Sequence, residues 1–207
     1  MTRLRGLYAI TSDTLGHSRE LLLGLVAEAI AGGAIAIQYR DKDREPAARR
    51  ANAAALADLC RARGVPLIVN DDPSLAADIG ADGVHIGRSD ASFSQARRIL
   101  GDHKIIGVTC SNSLERALAA ADAGASYVAL GRFFPSRTKP DAPGASIELL
   151  RDVRARVRVP ICAIGGITPA HVTRLIDAGA DLVAAIDGVF GAADVRAAAA
   201  AYTAAFS

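Results

Sequence analysis

The sequence contains no tryptophan, and aromatic residues make up only 4% of its 207 positions. Proteins that bind single-stranded nucleic acids use aromatic side chains to stack on the bases. Lysine and arginine are spread along the chain instead of forming a block, and the formal net charge is only +2. The chain therefore lacks the basic footprint typical of nucleic-acid binding, and we expect no nucleic-acid partner.

Cysteine is also scarce. Cys60, Cys110 and Cys162 are far apart and form no CxxC pair. An odd number of separated cysteines, with no secretory signal ahead of the first apolar segment, favours a reducing cytoplasmic location. Each cysteine has apolar neighbours, which predicts buried, unreactive thiols rather than nucleophiles or metal ligands.

Long apolar runs are missing as well. No segment approaches the roughly 20 apolar residues that a transmembrane helix needs, so we expect no membrane partner. The alanine-rich tail at 197–206 is typical of a terminal helix. Hydrophobic residues nevertheless make up 51% of the chain, which is enough for a sizeable core and argues against disorder.

Short apolar segments alternate with longer segments of helical period along the whole chain. The predicted strands are 7–11, 34–40, 66–71, 83–87, 104–110, 127–131, 160–166 and 181–187. The segment after the first strand has an apolar helical face formed by Leu21, Leu22, Leu25, Val26 and Ala29. Strict alternation with parallel strands leaves an open doubly wound sheet or a closed barrel. Eight units favour the barrel, and we predict an α/β fold in which residues 1–207 form a single (β/α)8 TIM-barrel catalytic domain.

Polar residues follow the predicted strands, whereas the residues that begin the strands are mostly apolar. The residues and segments at these strand ends are Gln38, Arg40, Lys42, Asn70, Asp71, His85, Asp90, Thr109, Ser111, 133–140, 165–166 and Asp187. In a barrel, the carboxyl ends of the strands and the loops after them meet at one face, which holds the active site. The one-sided distribution therefore predicts a functional site at that face.

The residue types indicate anion and metal binding. Arg40, Lys42 and Lys139 are cations that suit a diphosphate or triphosphate. Asp71 and Asp90 follow adjacent strands and could share a hard divalent cation, since Mg²⁺ takes only one or two protein carboxylates and leaves its other positions to water and phosphate oxygens. Ser136, Thr138 and the Gly165–Gly166 turn offer hydroxyl and backbone N–H groups to a second phosphate.

Each of these signals also has a purely structural interpretation. The run Asp71–Asp72–Pro73 is typical of a helix N-cap, and Asp90 could cap the helix that ends near Leu100. His85 lies inside a strand, which favours a hydrogen-bonded core histidine over a ligand. We favour the functional interpretation for the strand-end set because its members all fall at one end of the fold.

Six motifs, in this order and spacing, carry a resemblance to a known family. They are QYRDK (38–42), VNDD (69–72), GVHIGRSD (83–90), GVT (107–109), FPSRTK (134–139) and IGGIT (164–168). Together they resemble the thiamine phosphate synthase family over essentially the whole chain. The resemblance implies that 4-amino-2-methyl-5-hydroxymethylpyrimidine diphosphate condenses with hydroxyethyl-methylthiazole phosphate, or its carboxylated form, to give thiamine phosphate and pyrophosphate.

The resemblance also implies roles for individual residues. The pyrimidine diphosphate would be held by Gln38, Arg40, Lys42, Asn70, Thr109 and Lys139, of which Arg40, Lys42 and Lys139 would be catalytic. Mg²⁺ would be held by Asp71 and Asp90. The thiazole phosphate would be held by Ser136, Thr138, Gly166, Ile186 and Asp187. The family reaction is a dissociative loss of pyrophosphate assisted by Mg²⁺, so no protein nucleophile is expected.

Two departures from the family pattern bear on these roles. Asp187 stands where the family commonly has a serine, and a carboxylate about 4 Å from a phosphate costs roughly 1–4 kcal/mol depending on the dielectric. We expect Asp187 to turn towards Arg132 or Arg137, or to contact the phosphate through water. Arg88 and Ser89 also replace a polar amide and an acid, although Asp90 is in place.

Two alternative functions stay open at this point. A thiazole tautomerase of the same barrel type tends to lack the lysine of the QxRxK run and the two metal aspartates, and all three are present here. A catalytically inactive barrel that binds thiazole phosphate is supported only by Asp187. The expected partners are small-molecule substrates, and the sequence is compatible with a homo-oligomer.

Overall fold

Eight parallel strands pair in chain order, and the last strand pairs with the first, so that the sheet closes into a barrel. A computed structural model describes residues 4–13, 15, 18–87, 90–136 and 143–206. The strands are β1 (Gly6–Ile10), β2 (Ala36–Tyr39), β3 (Leu67–Asn70), β4 (Gly83–Ile86), β5 (Ile105–Ser111), β6 (Tyr127–Leu130), β7 (Ile161–Ile164) and β8 (Leu182–Ala185). The prediction of a (β/α)8 barrel is therefore confirmed.

Helices follow the strands and cover the outside of the barrel. They are α1 (Arg19–Ala31), α2 (Pro46–Arg63), α3 (Pro73–Asp78), α4 (Phe93–Leu100), α5 (Leu114–Asp122), α6 (Ile147–Arg156), α7 (Pro169–Asp177), α8 (Asp187–Phe190) and α9 (Val195–Thr203), and a 3-10 turn covers Ala204–Phe206. The final strand is shorter than predicted, because Asp187 already begins the short helix α8. None of the described helices is long and apolar enough to cross a membrane.

The helix starts decide between two interpretations of the aspartates. Asp72 caps α3, since its side chain accepts a hydrogen bond from the backbone N–H of Leu75 at 2.9 Å. The structural interpretation of Asp72 is thus correct. Helix α4 is capped by Ser92, which forms a reciprocal capping box with Gln95. The interpretation of Asp90 as a helix cap is therefore wrong, and its carboxylate is available for another role.

Strand β2 shows how the pleat separates the two cores. Ala36 belongs to the core inside the barrel, whereas Ile37 and Tyr39 belong to the core between strands and helices, as the alternation predicts. The Tyr39 hydroxyl donates to Asp41 at 3.1 Å in that outer layer. Ile35 packs against the inner core as well, because it precedes the strand and is not part of the pleat.

Two further predictions concern burial. The three cysteines are free and buried, and burial raises the pKa of Cys60 to about 12 and that of Cys110 to about 11, so the prediction of unreactive thiols fits. Leu21 was placed on the apolar face of α1, but its side chain is 52% exposed and the prediction is wrong. The packed face of α1 is narrower than the apolar stripe.

Candidate active site

One cavity of about 610 Å³ opens at the carboxyl ends of the strands. Its lining contains all the predicted site residues that lie in the described part of the chain, namely Gln38, Arg40, Lys42, Asn70, Asp71, Asp90, Thr109, Ser136, Gly166, Ile186 and Asp187. Thr138 and Lys139 lie outside the described residues, as do Arg88, Ser89 and Arg137. Residues from seven different strands or strand-following loops are thus brought to one space, which is the arrangement of a barrel active site.

Arg40 and Lys42 form one wall of the cavity, which we call the cationic wall. An aspartate that the sequence analysis did not single out holds this wall in place. Asp13 follows β1, and its Oδ2 lies 2.5 Å from the guanidinium of Arg40. Its other oxygen accepts the backbone N–H of Lys42 at 2.9 Å. The Thr11 hydroxyl bonds both backbone groups of Arg40, at 2.9 and 3.0 Å. Its position in the sequence could have indicated Asp13, because it follows the carboxyl end of β1 just as the predicted site residues follow the ends of other strands.

Two carboxylates meet beside the cationic wall. The Nζ of Lys42 lies 2.8 Å from Oδ2 of Asp71, and Asp90 accepts the backbone N–H of Gly87 at 2.6 Å. Asp71 has a φ of 64°, a conformation that aspartate tolerates better than most residues. A Cβ at Gly87 would lie 2.7 Å from the Asp90 carboxylate, so the glycine makes room for it.

The carboxylates of Asp71 and Asp90 interact with each other, and their pKa values shift in opposite directions. Burial raises the pKa of Asp71, but hydrogen bonds with Asp90 and Lys42 outweigh it and lower that pKa below its ordinary value. Burial and the contact with Asp71 raise the pKa of Asp90. Asp90 is therefore the member of the pair that takes up a proton first.

The donor set limits which metal these carboxylates could hold. The described residues contain no group of three or more histidine, cysteine, aspartate or glutamate side chains placed to bind a metal ion. Two neighbouring carboxylates are too few for a structural zinc or calcium site. They fit Mg²⁺, which keeps several waters and takes further oxygens from a substrate phosphate.

A chain of buried hydrogen bonds crosses the interior of the barrel along the cavity. Gln38 Nε2 donates to the Tyr8 hydroxyl at 2.7 Å, and that hydroxyl lies 2.9 Å from the hydroxyl of Tyr127. The Tyr127 hydroxyl lies 2.8 Å from His85 Nδ1, and His85 Nε2 lies 2.7 Å from the Thr109 hydroxyl. We call these five residues the interior polar chain. The prediction that His85 is a hydrogen-bonded, buried histidine is confirmed, although it also lines the cavity.

A glycine on β5 makes room for the interior polar chain. Gly107 pairs with His85 on one side and with Tyr127 on the other. A Cβ at Gly107 would lie 2.0 Å from Cζ of the Tyr127 ring. Because Gly107 has no side chain, the Tyr127 ring of β6 can lie across β5 and reach His85 of β4.

The opposite wall of the cavity is a glycine turn after β7. Gly165 and Gly166 have φ values of 102° and 61°, and a Cβ at Gly166 would lie 2.1 Å from the carbonyl oxygen of Pro135. Gly165 also accepts the backbone N–H of Phe134 at 3.0 Å. The turn therefore packs closely against the segment that carries Ser136. Because its residues are glycines, the backbone of the turn faces the cavity without intervening side chains.

Asp187 occupies the edge of this wall. It begins α8, it is exposed, and it lines the cavity together with Ile186 and Arg132. The expectation that it turns towards Arg132 or Arg137 stays a prediction. Its exposure to solvent weakens any repulsion between its carboxylate and a bound anion.

Comparisons with known proteins agree on one family. The family model described as thiamine monophosphate synthase (TMP-TENI) matches residues 7–189. The thiamine-phosphate synthase of Methylococcus capsulatus is 53% identical over 195 residues, which cover 94% of this chain and 86% of that protein. The thiamine-phosphate synthase of Nitrosococcus oceani is 53% identical over 199 residues, covering 96% and 91%. The thiamine phosphate pyrophosphorylase structure from Pyrococcus furiosus superposes with a TM-score of 0.88 at 34% identity, covering 98% of this chain and 96% of that one.

Proposed function

Because this chain belongs to the thiamine monophosphate synthase family, we propose that it joins 4-amino-2-methyl-5-hydroxymethylpyrimidine diphosphate to hydroxyethyl-methylthiazole phosphate, or its carboxylated form, giving thiamine phosphate and pyrophosphate. The chain is a transferase of thiamine biosynthesis. One observation carries the detailed proposal. A single cavity has cations and paired carboxylates on the side of β2 to β4, and a glycine turn with a serine on the side of β6 and β7.

The proposed cofactor is Mg²⁺, held by Asp71 and Asp90. Burial and the neighbouring Asp71 carboxylate raise the pKa of Asp90. A divalent cation held by both carboxylates would offset the repulsion between them. When bound, the ion would neutralise negative charge that develops on the leaving diphosphate. Lys42 contacts Asp71 at 2.8 Å, so the same lysine can serve the carboxylate and the diphosphate.

Arg40 and Lys42 of the cationic wall, together with Lys139, would act on the leaving group. The bond between the pyrimidine methylene carbon and the diphosphate oxygen breaks with its electron pair on oxygen, and Arg40, Lys42 and Lys139 stabilise that charge. Asn70 adds a neutral hydrogen-bonding group. The thiazole nitrogen then donates its lone pair to the methylene carbon. No protein atom forms a bond with either substrate, so the chain acts by charge stabilisation and alignment.

Alignment of the two substrates would fall to the remaining residues. Gln38 and Thr109 are proposed to hold the pyrimidine at the centre of the barrel. Ser136, Thr138 and the Gly166 turn, with Ile186 and Asp187 at their edge, are proposed to hold the thiazole phosphate. Gln38 lies on β2 and Ser136 follows β6, on opposite sides of the closed barrel, so the thiazole nitrogen can face the pyrimidine methylene carbon.

We also propose that residues 1–207 act as one catalytic domain on these small molecules in the cytoplasm. The three free cysteines support a reducing compartment. The alternatives are less favoured. Lys42, Asp71 and Asp90 lie together in the cavity, which argues against a tautomerase, and the exposed Asp187 leaves the inactive-barrel alternative without further support.

One assay tests the proposal against both alternatives. Purified protein is incubated with both substrates, with Mg²⁺ or with a chelator, and thiamine phosphate is followed by fluorescence after oxidation. We expect turnover that depends on Mg²⁺. Turnover that does not need metal, or no turnover under any condition, would contradict the proposal. Conversion of a thiazole tautomer without use of the pyrimidine diphosphate would support the tautomerase instead.

A further inference from the structure

We propose that the interior polar chain has one fixed donor direction, and that this direction makes the site select an aminopyrimidine over the corresponding oxopyrimidine. The chain would present the side-chain oxygen of Gln38 to the cavity as an acceptor, and the hydroxyl proton of Thr109 as a donor. Tyr8, Tyr127 and His85 are then positioning residues. The selection rests on the proposed function, whereas the donor direction does not.

The direction follows from the group at one end. The amide nitrogen of Gln38 can only donate, and it does so to the Tyr8 hydroxyl. Because the Tyr8 hydroxyl accepts from Gln38, its single proton is left to pair with the Tyr127 hydroxyl. The Tyr127 hydroxyl thereby accepts from Tyr8, and its own proton is left to pair with Nδ1 of His85. Nδ1 is therefore an acceptor, and a neutral imidazole then carries its proton on Nε2, which donates to Thr109.

Burial prevents the chain from relaxing. The tyrosine side chains of Tyr8 and Tyr127 are 2% and 1% exposed, so a reversed or broken link leaves a buried polar group without a partner. Burial also raises the pKa of both phenols well above the ordinary value, so each keeps the proton that it donates.

Packing fixes the rings that carry the hydroxyls. The Tyr8 and Tyr127 rings meet edge to face, with centroids 5.8 Å apart at an angle of 88°. The His85 and Tyr127 rings lie nearly parallel at 5.6 Å. Gly107 leaves the space in which the Tyr127 ring sits. Rotation of any one ring would therefore require movement of its neighbours.

The consequence for the ligand concerns the 4-position of the pyrimidine. An exocyclic amino group donates a hydrogen bond to the Gln38 oxygen. A 4-oxo group would place an acceptor against that oxygen, and the amide cannot rotate without breaking its bond to Tyr8. A site built to pair with a substrate donor rejects an analogue that lacks it strongly, and we expect discrimination of about 100-fold or more in kcat/KM.

The first experiment reads the donor direction in the protein without substrate. Imidazole nitrogen chemical shifts in protein labelled with ¹⁵N-histidine distinguish a protonated from an unprotonated nitrogen. His85 is assigned by comparison with a His85→Gln sample. We expect Nε2 to carry the proton and Nδ1 to be bare at neutral pH. A proton on Nδ1 would overturn the proposal, whatever reaction the protein catalyses.

The second experiment measures selection between the two pyrimidine diphosphates, amino and oxo, in wild type and in Tyr8→Phe. Loss of the Tyr8 hydroxyl frees the Gln38 amide to rotate, so we expect the discrimination to fall about tenfold. The KM for the aminopyrimidine should rise about three- to tenfold, and the KM for the thiazole phosphate should change less than about twofold. Tyr39→Phe is the matched control, because it removes a buried hydroxyl in the outer layer.

The outcomes separate this proposal from the proposed function. Unchanged discrimination in Tyr8→Phe, or an equal loss in Tyr39→Phe, would overturn the positioning role. Equal use of both pyrimidines by the wild type would overturn the selection. Failure to form thiamine phosphate from any substrate pair would contradict the proposed function, and the imidazole shifts would still decide the donor direction.

Discussion

Replacement of Asp90 by asparagine should stabilise the free protein while removing most of its activity. Burial and the interaction with Asp71 raise the pKa of Asp90, so its ionisation at neutral pH is less favourable in the folded than in the unfolded chain. An amide of the same shape keeps the bond from Gly87 and can donate to Asp71. The variant therefore loses a repulsion and gains a donor.

The size of the gain follows from the general strength of charge repulsion and from the exposure of the pair. Two charges about 4 Å apart repel by roughly 1 kcal/mol at the dielectric of water and about 4 kcal/mol at an effective value of 20. The Asp71 side chain is 26% exposed and already paired with Lys42, so the lower end applies. About 1 kcal/mol corresponds to a rise in Tm of about 2–4 °C for a domain of this size.

The assay compares Tm with and without ligand. In the absence of metal, Asp90→Asn should melt above the wild type. With Mg²⁺ and inorganic pyrophosphate at about 100 times their apparent Kd, the wild type gains about 2.7 kcal/mol by mass action and the variant gains little, so the order of the two Tm values should invert. Loss of one of two metal ligands should also lower kcat about 100-fold or more, since metal stabilisation of a leaving group is worth several kcal/mol.

Two results would refute this reasoning. A lower Tm of Asp90→Asn without metal would show that the carboxylate pair is not repulsive. Retention of wild-type turnover would show that Asp90 does not take part in metal binding. Asp58→Asn is the control for loss of one carboxylate, because Asp58 forms an exposed pair with Arg61, and we expect neither Tm nor turnover to change.

Three further predictions concern other parts of the chain. Asp187→Ser should keep activity and lower the KM for thiazole phosphate by up to about fivefold, since an exposed like charge is removed; loss of activity would contradict this. Gly166→Ala should lower Tm and raise that KM, because its Cβ would lie 2.1 Å from a carbonyl oxygen, whereas Gly144→Ala, with nothing within 4 Å, should do neither. The thiols should resist a colorimetric thiol reagent at pH 8 until the protein unfolds, because burial raises the pKa of Cys60 to about 12 and that of Cys110 to about 11; rapid labelling of the native protein would contradict this.

The fold was predictable because buried parallel strands leave a simple mark in the sequence. Each strand is a short apolar run, and the segments between them have helical period, so counting units was enough to predict a closed barrel. The errors lie where local pattern does not determine contacts. Leu21 continues an apolar stripe, but none of the described elements covers it and its side chain is 52% exposed.

The site was predictable where residues follow strand ends, since the barrel brings all those ends to one face. Lys42 and Asp71 could be assigned to one site in this way, although their ion pair could not. Tyr8 and Tyr127 were missed because an aromatic residue within an apolar run has the pattern of a core residue. Their hydroxyls are 2.9 Å apart but 119 positions apart in the chain, and only closure of the barrel brings them together.

The space at Gly107 has a consequence for how this protein can change during evolution. Any side chain at this position would overlap the Tyr127 ring, with the Cβ only 2.0 Å from Cζ. A smaller residue at position 127 would in turn leave a cavity and an unpaired histidine nitrogen. Neither position can therefore be altered alone without loss of stability. The two positions should vary together among descendants of this chain, and a change of pyrimidine specificity would have to pass through this pair.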